Sequence, residues 1–350
     1  MKSNDPYFNL SNDELDSIIQ NVTSWQQLKG KNIFLSGGTG FVGKWILASF
    51  IYANSSLSLG SKIYVLSRKP KEFLKQFPNL VDLNSIEFIE GDIRSFNINK
   101  NLSIDYAIHA ATDVVAKRSS IDIFNDCVHG TDNLLKEIQK VNCKKLLLLS
   151  SGAVYGSTPE TLDLISEEYS GSPNTMSEFS AYGEGKRVSE LLSCIESESG
   201  QLSVTTARCF AFVGPYLPLD KHFAIGNFIL SAMKDEKIFI RGDGTPLRSY
   251  LYSADLVLWL WELLFKGKNS TVYNVGGSEP VSIERLANKV VQSLNSSSLI
   301  EISTPKDKNK PVQKYIPDIQ RIYNDLGLKP IFDLESSIQR TAIFNKDLIT

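Results

Sequence analysis

The stretch Gly37-Gly38-Thr39-Gly40-Phe41-Val42-Gly43 follows directly on the apolar run Ile33-Phe34-Leu35. This order predicts a strand, a tight glycine turn and the start of a helix that Phe41 and Val42 open. Gly37, Gly40 and Gly43 allow the backbone to approach a pyrophosphate and the helix to pack close to the strand. The helix N-terminus would present unpaired N–H groups and the positive end of its dipole to the phosphates. The stretch therefore predicts a dinucleotide site.

Strand-like and helical runs alternate from residue 32 onward. Helical stretches such as Val42 to Tyr52 and Gly130 to Val141 separate the strand-like runs. This alternation predicts an α/β fold of the Rossmann type, with a doubly wound parallel sheet that binds ligand at the carboxyl ends of its strands. The predicted strands are Asn32 to Ser36, Lys62 to Ser67, Ile86 to Glu90, Tyr106 to Ala110, Lys145 to Ser150 and Val204 to Cys209.

The chain divides into three predicted parts. Residues 1–31 form an N-terminal helical extension, since Ser11 and Glu14 fit a capping box and apolar residues follow at helical spacing, namely Leu15, Ile18, Ile19, Val22 and Trp25. We interpret this extension as an extra helix docked on the main body, with a dimer contact as the alternative. Residues 32–207 form the dinucleotide-binding domain. Residues 208–350 form mostly a smaller substrate lobe, with some segments returning to the first domain.

Composition excludes several classes of partner. The chain has 350 residues, 42% of them hydrophobic, and a formal net charge of -2. Without a basic block, neither nucleic acid nor an anionic membrane is an expected partner. The N-terminus has no apolar core, so we expect a cytoplasmic protein. The four cysteines are scattered and the three histidines share no metal-ligand spacing, so we expect no metal.

The predicted strand ends carry the candidate cofactor residues. The second strand ends in Ser67 and Arg68, without the carboxylate that usually accepts hydrogen bonds from the ribose of NAD. An arginine suits a 2′-phosphate, so NADP(H) is favoured and NAD(H) remains possible. The third strand ends in Asp92-Ile93, where the carboxylate can accept from the adenine amino group. The fourth ends in Ala110-Ala111-Thr112, small residues that let the backbone run close to the cofactor.

Tyr182 and Lys186 are four residues apart, which places them on one face of a helix. Ser151 follows the fifth strand, and its hydroxyl points into the predicted cleft. Hydride transfer at a carbinol carbon requires a proton to move at the oxygen. We expect the Lys186 ammonium and a positive nicotinamide ring to lower the pKa of Tyr182. Ser151 would hold the substrate oxygen while Tyr182 exchanges the proton.

Taken together, these residues resemble the extended short-chain dehydrogenase/reductase family, over nearly the whole chain. Its members modify nucleotide-diphosphate sugars as 4-ketoreductases, 4-epimerases, 4,6-dehydratases or decarboxylases. Beyond the residues above, the match includes Gly130-Thr131, Arg208-x-Phe210, Val213-Gly214-Pro215, Gly242-Asp243-Gly244, Arg248 and Tyr273-Asn274-Val275-Gly276.

The resemblance assigns further roles. It implies that Phe210 and Val213 contact the cofactor, and that Gly152 and Asn227 contact a nucleotide-sugar substrate. It also implies that Arg248 binds the substrate diphosphate, to which an arginine fork is well matched. His222 and Lys117 lie where a sugar-contacting loop is expected. Homodimers are common in the family and are expected here by analogy.

Departures from the family pattern narrow the predicted activity. The family's dehydratases carry an Asp-Glu pair after the catalytic hydroxyl residue, and its decarboxylases keep the glutamate. Here those positions are Gly152 and Ala153. The favoured function is an NADPH-dependent reductase of a nucleotide-linked 4-keto-6-deoxysugar, with Tyr182 as proton donor. The alternative is a 4-epimerase with tightly bound NAD(P). A decarboxylase or dehydratase, or a non-catalytic NADP(H)-binding protein, is less favoured.

Overall fold

The computed structural model of the protein describes residues 5–111, 118–221, 223–307 and 311–348. Its helices flank the strands in chain order, as the alternating sequence pattern requires. The α-helices are α1 (Asn12–Asn21), α2 (Phe41–Ser56), α3 (Pro70–Gln76), α4 (Ser120–Lys140), α5 (Ala181–Glu198), α6 (Ala224–Met233), α7 (Ser253–Lys266), α8 (Ile283–Leu294), α9 (Gln320–Leu326) and α10 (Leu334–Phe344).

The strands form one large sheet and three small ones. They are β1 (Asn32–Ser36), β2 (Lys62–Ser67), β3 (Ile86–Glu90), β4 (Tyr106–His109), β5 (Lys145–Ser151), β6 (Ser203–Cys209), β7 (Phe212–Val213), β8 (Ile238–Ile240), β9 (Leu247–Arg248), β10 (Leu251–Tyr252), β11 (Thr271–Val275), β12 (Val281–Ser282), β13 (Ile300–Ile302) and β14 (Lys314–Tyr315). The large sheet has the order β11-β6-β5-β4-β1-β2-β3. Its pairs from β6 to β3 are all parallel.

The central strands of the large sheet are covered on both faces. Ile33, Phe34 and Leu35 of β1 are all fully buried. Parallel sheets whose strands are buried on both sides are typical of doubly wound folds, since the crossover helices cover each face. The predicted α/β Rossmann fold is therefore confirmed, with the six predicted strands in place to within one residue at each end.

Two compact units make up the chain. The first comprises Met1–Gly156, Ser172–Cys209 and Val257–Tyr273, and the second comprises Ser157–Gly171, Phe210–Leu256 and Asn274–Thr350. The boundary between residues 207 and 208, at which the sequence analysis divides the two larger domains, stays a prediction.

Helix α1 and the turn after it pack on the first unit. The Ser11 hydroxyl caps the helix by accepting from the N–H of Asp13 at 3.3 Å. Leu15 and Ile18 on its apolar face are fully buried, and α1 lies against α2. Trp25, 3% exposed, lies 5.1 Å from Trp261 between ring centroids. The apolar periodicity of this segment thus serves packing within the unit.

Small sheets and helices form the second unit. β7 pairs with β10, β9 pairs with both β12 and β14, and β8 pairs with β13. Gly214 allows one close approach: it has φ 152°, and a Cβ there would lie 1.7 Å from Ser253 Oγ. Glycine at this position is therefore a steric requirement.

A buried carboxylate in the second unit makes stability depend on pH. Asp255 is fully buried, and its Oδ2 accepts from the N–H groups of Ile331 and Phe332, each at 3.1 Å. Its Oδ1 has no hydrogen-bond partner among the described residues. Burial raises the pKa of Asp255 from 3.8 to about 7. Between these values the folded state binds more protons than the unfolded state, so stability falls as pH rises.

We expect Asp255→Asn to reduce this dependence. The asparagine keeps an oxygen acceptor for the two N–H groups but does not ionise. Denaturant unfolding at about pH 4.5 and about pH 8 measures the effect, and the loss of unfolding free energy between them is smaller in the variant. The exposed Asp82→Asn variant is the control. An unchanged difference in Asp255→Asn would show that this carboxyl is not the titrating group.

Candidate active site

The glycine turn after β1 is shaped by close backbone contacts. Gly37 has φ 77°, and a Cβ there would lie 2.5 Å from Ala110 O. A Cβ on Gly43 would lie 2.2 Å from Gly37 O. By contrast, a Cβ on Gly40 would meet only Gly37 O, at 3.5 Å. The surface in front of Gly40 is therefore open, while Gly37 and Gly43 hold strand, turn and helix together.

Helix α2 begins directly behind this open surface. Gly40 is its N-cap residue, and no side chain caps the helix. Phe41 and Val42, both half-buried, form its first turn. An uncapped N-terminus of a 16-residue helix leaves N–H groups for an anion. The turn thus has the space and the donors that a dinucleotide pyrophosphate needs.

The end of β2 carries cations and no carboxylate. Ser67 is buried, and its hydroxyl accepts from the N–H of Lys69 at 3.2 Å. Arg68 is exposed, and it interacts electrostatically with Asp92 at the end of the neighbouring strand β3. Lys69 forms an exposed ion pair with Glu72 at 3.0 Å.

Asp92 is already engaged by an arginine that the sequence analysis did not consider. Its Oδ1 accepts from Nε of Arg94 at 2.8 Å and its Oδ2 from Nη2 at 2.9 Å. This hydrogen-bonded pair lowers the pKa of Asp92 to about 2. The next residue, Ile93, is 9% exposed and packs in the hydrophobic core beside Gly130. Its side chain therefore faces the core.

The end of β4 borders the glycine turn. The N–H of Ala110 donates to Ser36 O at 3.1 Å. His109, 2% exposed, contacts Ser36 Oγ through Nδ1 at 2.7 Å and Thr131 Oγ1 through Nε2 at 3.1 Å. Burial first, and the charge of Lys186 second, lower the pKa of His109 to about 3. This histidine is thus neutral and structural.

Some predicted residues lie outside the described ranges. The half-buried Ala111 is the last described residue of its loop. Thr112, Lys117 and His222 belong to the undescribed residues, and their predicted roles stay predictions.

Ser151, Tyr182 and Lys186 come together in the first unit. Ser151 ends β5, and its hydroxyl is hydrogen-bonded to that of Tyr182 in the first turn of α5. Lys186 lies one turn further on, 4% exposed, with its Nζ 6.0 Å from the centroid of the Tyr182 ring. Its Nζ donates to Leu149 O at 2.7 Å. The helical spacing and the strand end therefore converge as predicted.

The pKa of Tyr182 differs from the expectation. Burial raises it, and the hydrogen bond with Ser151 opposes this only in part. Burial likewise lowers the pKa of Lys186. The expectation of a net lowered pKa for the phenol is therefore wrong for the protein without a bound dinucleotide, because the desolvation of Tyr182 outweighs any stabilisation of the phenolate by Lys186. At neutral pH the phenol is protonated.

Two glycines bring α5 close to its neighbours. A Cβ on Gly183 would lie 2.7 Å from Ala153 O, and one on Gly185 would lie 2.8 Å from Cys127 Cβ. Gly183 and Gly185 therefore set the depth at which Tyr182 lies. This requirement was missed from sequence, although the alternation Tyr-Gly-Glu-Gly-Lys is its visible signal.

A polar network missed from sequence supports the end of β5. The Glu190 carboxylate accepts a hydrogen bond from Ser150 Oγ. It also accepts two from Arg208, one from Nη2 at 2.7 Å and one from Nε at 3.0 Å. The Arg208 guanidinium lies 4.7 Å from the Tyr155 ring centroid. The paired charges are each less than 15% exposed, which fixes the strand end beside Ser151.

The turn after Ser151 is short and carries no acid. Residues Gly152–Tyr155 form a single 3-10 turn, and the N–H of Ala153 donates to Ser151 Oγ at 3.1 Å. Gly152 is buried and Ala153 is half-buried. The two positions after the catalytic candidate therefore provide only backbone.

The remaining predicted residues belong to the second unit. Arg248 on β9 lies 5.7 Å from the Tyr315 ring centroid, and Phe210 lies 4.7 Å from that ring. Val213 is buried in β7. Asn227 is exposed in the first turn of α6, and its Nδ2 donates to Phe223 O at 2.8 Å. Their predicted roles in cofactor and substrate binding stay predictions.

The described residues also bear on the predictions about disulfides, metal sites and membrane helices. None of the four cysteines forms a disulfide bond within the described residues. Within the described ranges, no three metal-ligating side chains cluster, and every helix is too short or too polar to traverse a bilayer. The cytoplasmic location and the homodimer stay predictions.

A parallel sheet with a glycine turn after β1 and a Ser-Tyr-Lys set at β5 and α5 defines a dinucleotide-dependent enzyme of the extended short-chain dehydrogenase/reductase type. Comparison with known proteins gives the family. The sequence model of the NAD dependent epimerase/dehydratase family matches residues 33–276, and the chain belongs to this family.

Relatives share most of the chain. UDP-glucuronic acid decarboxylase 1 of Xenopus tropicalis is 28% identical over 322 residues, covering 91% of this chain and 73% of the relative. A UDP-N-acetylglucosamine 4-epimerase from Methanobrevibacter ruminantium, solved with UDP-N-acetylmuramic acid, superposes with a TM-score of 0.77 at 22% identity, covering 91% and 99%. A dTDP-glucose 4,6-dehydratase from Bacillus anthracis, solved with NAD, has a TM-score of 0.74 at 22% identity, covering 91% and 97%. These structures show the shared fold.

Proposed function

We propose that this enzyme reduces the 4-keto group of a nucleotide-diphosphate-linked 6-deoxysugar with NADP(H). The observation that carries the proposal is the hydrogen bond between Tyr182 and Ser151 beside the buried Lys186. It supports a proton transfer at a sugar oxygen, which every hydride transfer at C4 requires. Nucleotide sugars are the substrates named for the relatives.

The glycine turn fits the dinucleotide that the family implies. Gly37, Gly40 and Gly43 would hold its pyrophosphate at the N-terminus of α2, because a Cβ is excluded at two of them and space is open at Gly40. When bound, the dinucleotide supplies the hydride. Ser67 and Arg68 would contact its adenosine ribose, and Asp92, Ala110 and Ala111 would line it.

Proton transfer falls to Tyr182. Because burial keeps its phenol protonated at neutral pH, Tyr182 is poised to donate a proton to the sugar oxygen. Ser151 holds the same oxygen through its hydroxyl. Lys186 is fixed by Leu149 O and stabilises the phenolate that the donation leaves.

The turn after Ser151 argues against elimination and decarboxylation. Gly152 and Ala153 stand where the family's dehydratases carry an acid-base pair, and neither side chain can transfer a proton. The similarity to UDP-glucuronic acid decarboxylases supports UDP-linked sugars as one substrate group to test. Arg248 in the second unit would bind the substrate diphosphate and Asn227 would line the nucleotide pocket.

A 4-epimerase with tightly bound NAD is the second candidate. The Asp92 carboxylate lies within electrostatic reach of Arg68 and offsets its charge. This reduces the preference for a 2′-phosphate and favours the cofactor after which the family is named. The same Tyr182 would then take the proton from the C4 hydroxyl oxygen and return it, while the hydride would leave C4 and return to it.

One substrate screen separates these activities. UDP- and dTDP-linked sugars, their 4-keto forms and UDP-glucuronic acid are each incubated with enzyme and with NADPH or NADH. We expect loss of the reduced-nicotinamide absorbance only with a 4-keto sugar. Interconversion of 4-epimers without net absorbance change supports the second candidate. Release of CO2 from UDP-glucuronic acid contradicts both.

Arg68 offers a direct test of cofactor preference. We expect Arg68→Ala to raise the KM for NADPH about tenfold and to leave that for NADH unchanged, since only NADPH carries the 2′-phosphate. Steady-state rates with each cofactor measure this. Lys71→Ala removes another exposed cation, on α3, and is the matched control. Equal losses for both cofactors would contradict the assignment of Arg68 to the 2′-phosphate.

A further inference from the structure

We infer that the N-terminal segment Asp5–Leu10 positions the adenosine end of the dinucleotide site. This segment, called here the N-terminal loop, precedes the nucleotide-binding sequence and contains none of the predicted site residues. Its contacts lead to the end of β2 and to the first turn of α2. The inference rests on the proposed function, because it concerns the same dinucleotide site.

The N-terminal loop is held in one conformation by hydrogen bonds to Asp5. Asp5 Oδ1 accepts from the N–H groups of Tyr7 at 3.0 Å and Phe8 at 2.9 Å, and its Oδ2 accepts from the N–H of Leu10 at 2.7 Å. The N–H of Asp5 in turn donates to Leu10 O at 2.9 Å. Phe8 and Leu10 are 1% and 0% exposed. A closed turn of this kind presents Phe8 at a fixed place.

Phe8 packs directly on α3 and the turn after it. Its ring centroid lies 5.0 Å from that of Phe77 and 6.4 Å from that of Phe73. Phe73 also lies 5.8 Å from Phe88 of β3. Asn79 Nδ2 donates a hydrogen bond to Pro6 O at 2.7 Å, which attaches the N-terminal loop at a second point. The N-terminal loop therefore holds α3 against the sheet.

Helix α3 is joined rigidly to the end of β2. It begins two residues after Arg68, and Pro70 at its first position is buried. The N–H of Phe73 donates to Lys69 O at 3.3 Å, and the N–H of Lys69 donates to Ser67 Oγ at 3.2 Å. A shift of α3 thus moves the backbone that carries Ser67 and Arg68.

The N-terminal loop is also connected, through Phe77, to the helix that follows the glycine turn. The Nζ of Lys44, in the first turn of α2, lies 5.6 Å from the centroid of the Phe77 ring on which Phe8 packs. Phe77 therefore joins the helix that would bind the pyrophosphate to the segment that would bind the adenosine ribose. A change that weakens the packing of the N-terminal loop should therefore weaken binding of the adenosine end of the dinucleotide.

Calorimetric binding to the full chain tests the inference. We expect Phe8→Ala to raise the Kd for NADP+ and for its fragment 2′,5′-ADP about tenfold, with kcat at saturating cofactor unchanged. Asn79→Ala removes only the attachment hydrogen bond, so it keeps the test usable if Phe8→Ala folds poorly; we expect about a threefold rise. Phe8→Leu, which refills the site, should restore most of the affinity.

A matched truncation separates positioning from stability. Ile18→Ala removes an equally buried side chain from α1, which packs on α2. If Ile18→Ala raises the Kd for 2′,5′-ADP as much as Phe8→Ala does, or if Phe8→Ala and Asn79→Ala leave it unchanged, the inference is overturned. If the unmodified chain binds neither NADP+ nor NAD+, the proposed function fails, and this inference with it.

Discussion

Replacing Tyr182 with phenylalanine should lower kcat by about three orders of magnitude, equivalent to about 4 kcal/mol of transition-state stabilisation. The phenol is an acid in hydrogen-bond contact with Ser151 at the end of β5. The ring itself is retained, so packing beside Lys186 changes little. Turnover of the 4-keto sugar found in the screen measures the loss.

Cofactor binding distinguishes this chemical loss from a folding defect. Because phenylalanine keeps the ring, the Kd of Tyr182→Phe for NADP+ should match that of the unmodified enzyme. Tyr323→Phe makes the same change on α9, at a side chain that is 51% exposed, and should leave both kcat and Kd unaltered. Turnover retained in Tyr182→Phe would assign proton donation to another group.

The fold was predictable because its signals are local. Buried parallel strands are short apolar runs, and glycine turns and helices punctuate them. One helix began earlier than predicted: α4 starts at Ser120, ten residues before Gly130. Its start signal is Ser119, whose Oγ accepts from the N–H of Asp122 at 3.2 Å. The family motif at Gly130 lies in the middle of this helix and carries no start signal.

The placement of the catalytic candidates was likewise predictable, but their electrostatics were not. Spacing alone puts Tyr182 and Lys186 on one helix face. The pKa of Tyr182 depends instead on how deeply α5 packs, which Gly183 and Gly185 determine through contacts distant in sequence. The engagement of Asp92 by Arg94 also depends on side-chain geometry that spacing does not encode.

Gly43→Ala should abolish dinucleotide binding and destabilise the first unit. The added Cβ would lie 2.2 Å from Gly37 O and 2.5 Å from Gly38 C, and both are backbone atoms that cannot rotate away. Overpacking of this kind costs about 1–3 kcal/mol. Thermal unfolding should show the loss, and calorimetry should show no NADP+ binding. Gly242→Ala, where nothing lies within 4 Å of the new Cβ, is the matched control.

Gly40→Ala separates binding from stability within the same turn. Gly40 has φ -79°, and its Cβ would make only an ordinary contact of 3.5 Å, so the fold should tolerate alanine. A pyrophosphate at the N-terminus of α2 would nevertheless meet this methyl group. We therefore expect an unchanged unfolding temperature and a Kd for NADP+ raised about a hundredfold, or about 2.7 kcal/mol. Unaltered binding by Gly40→Ala would place the pyrophosphate elsewhere.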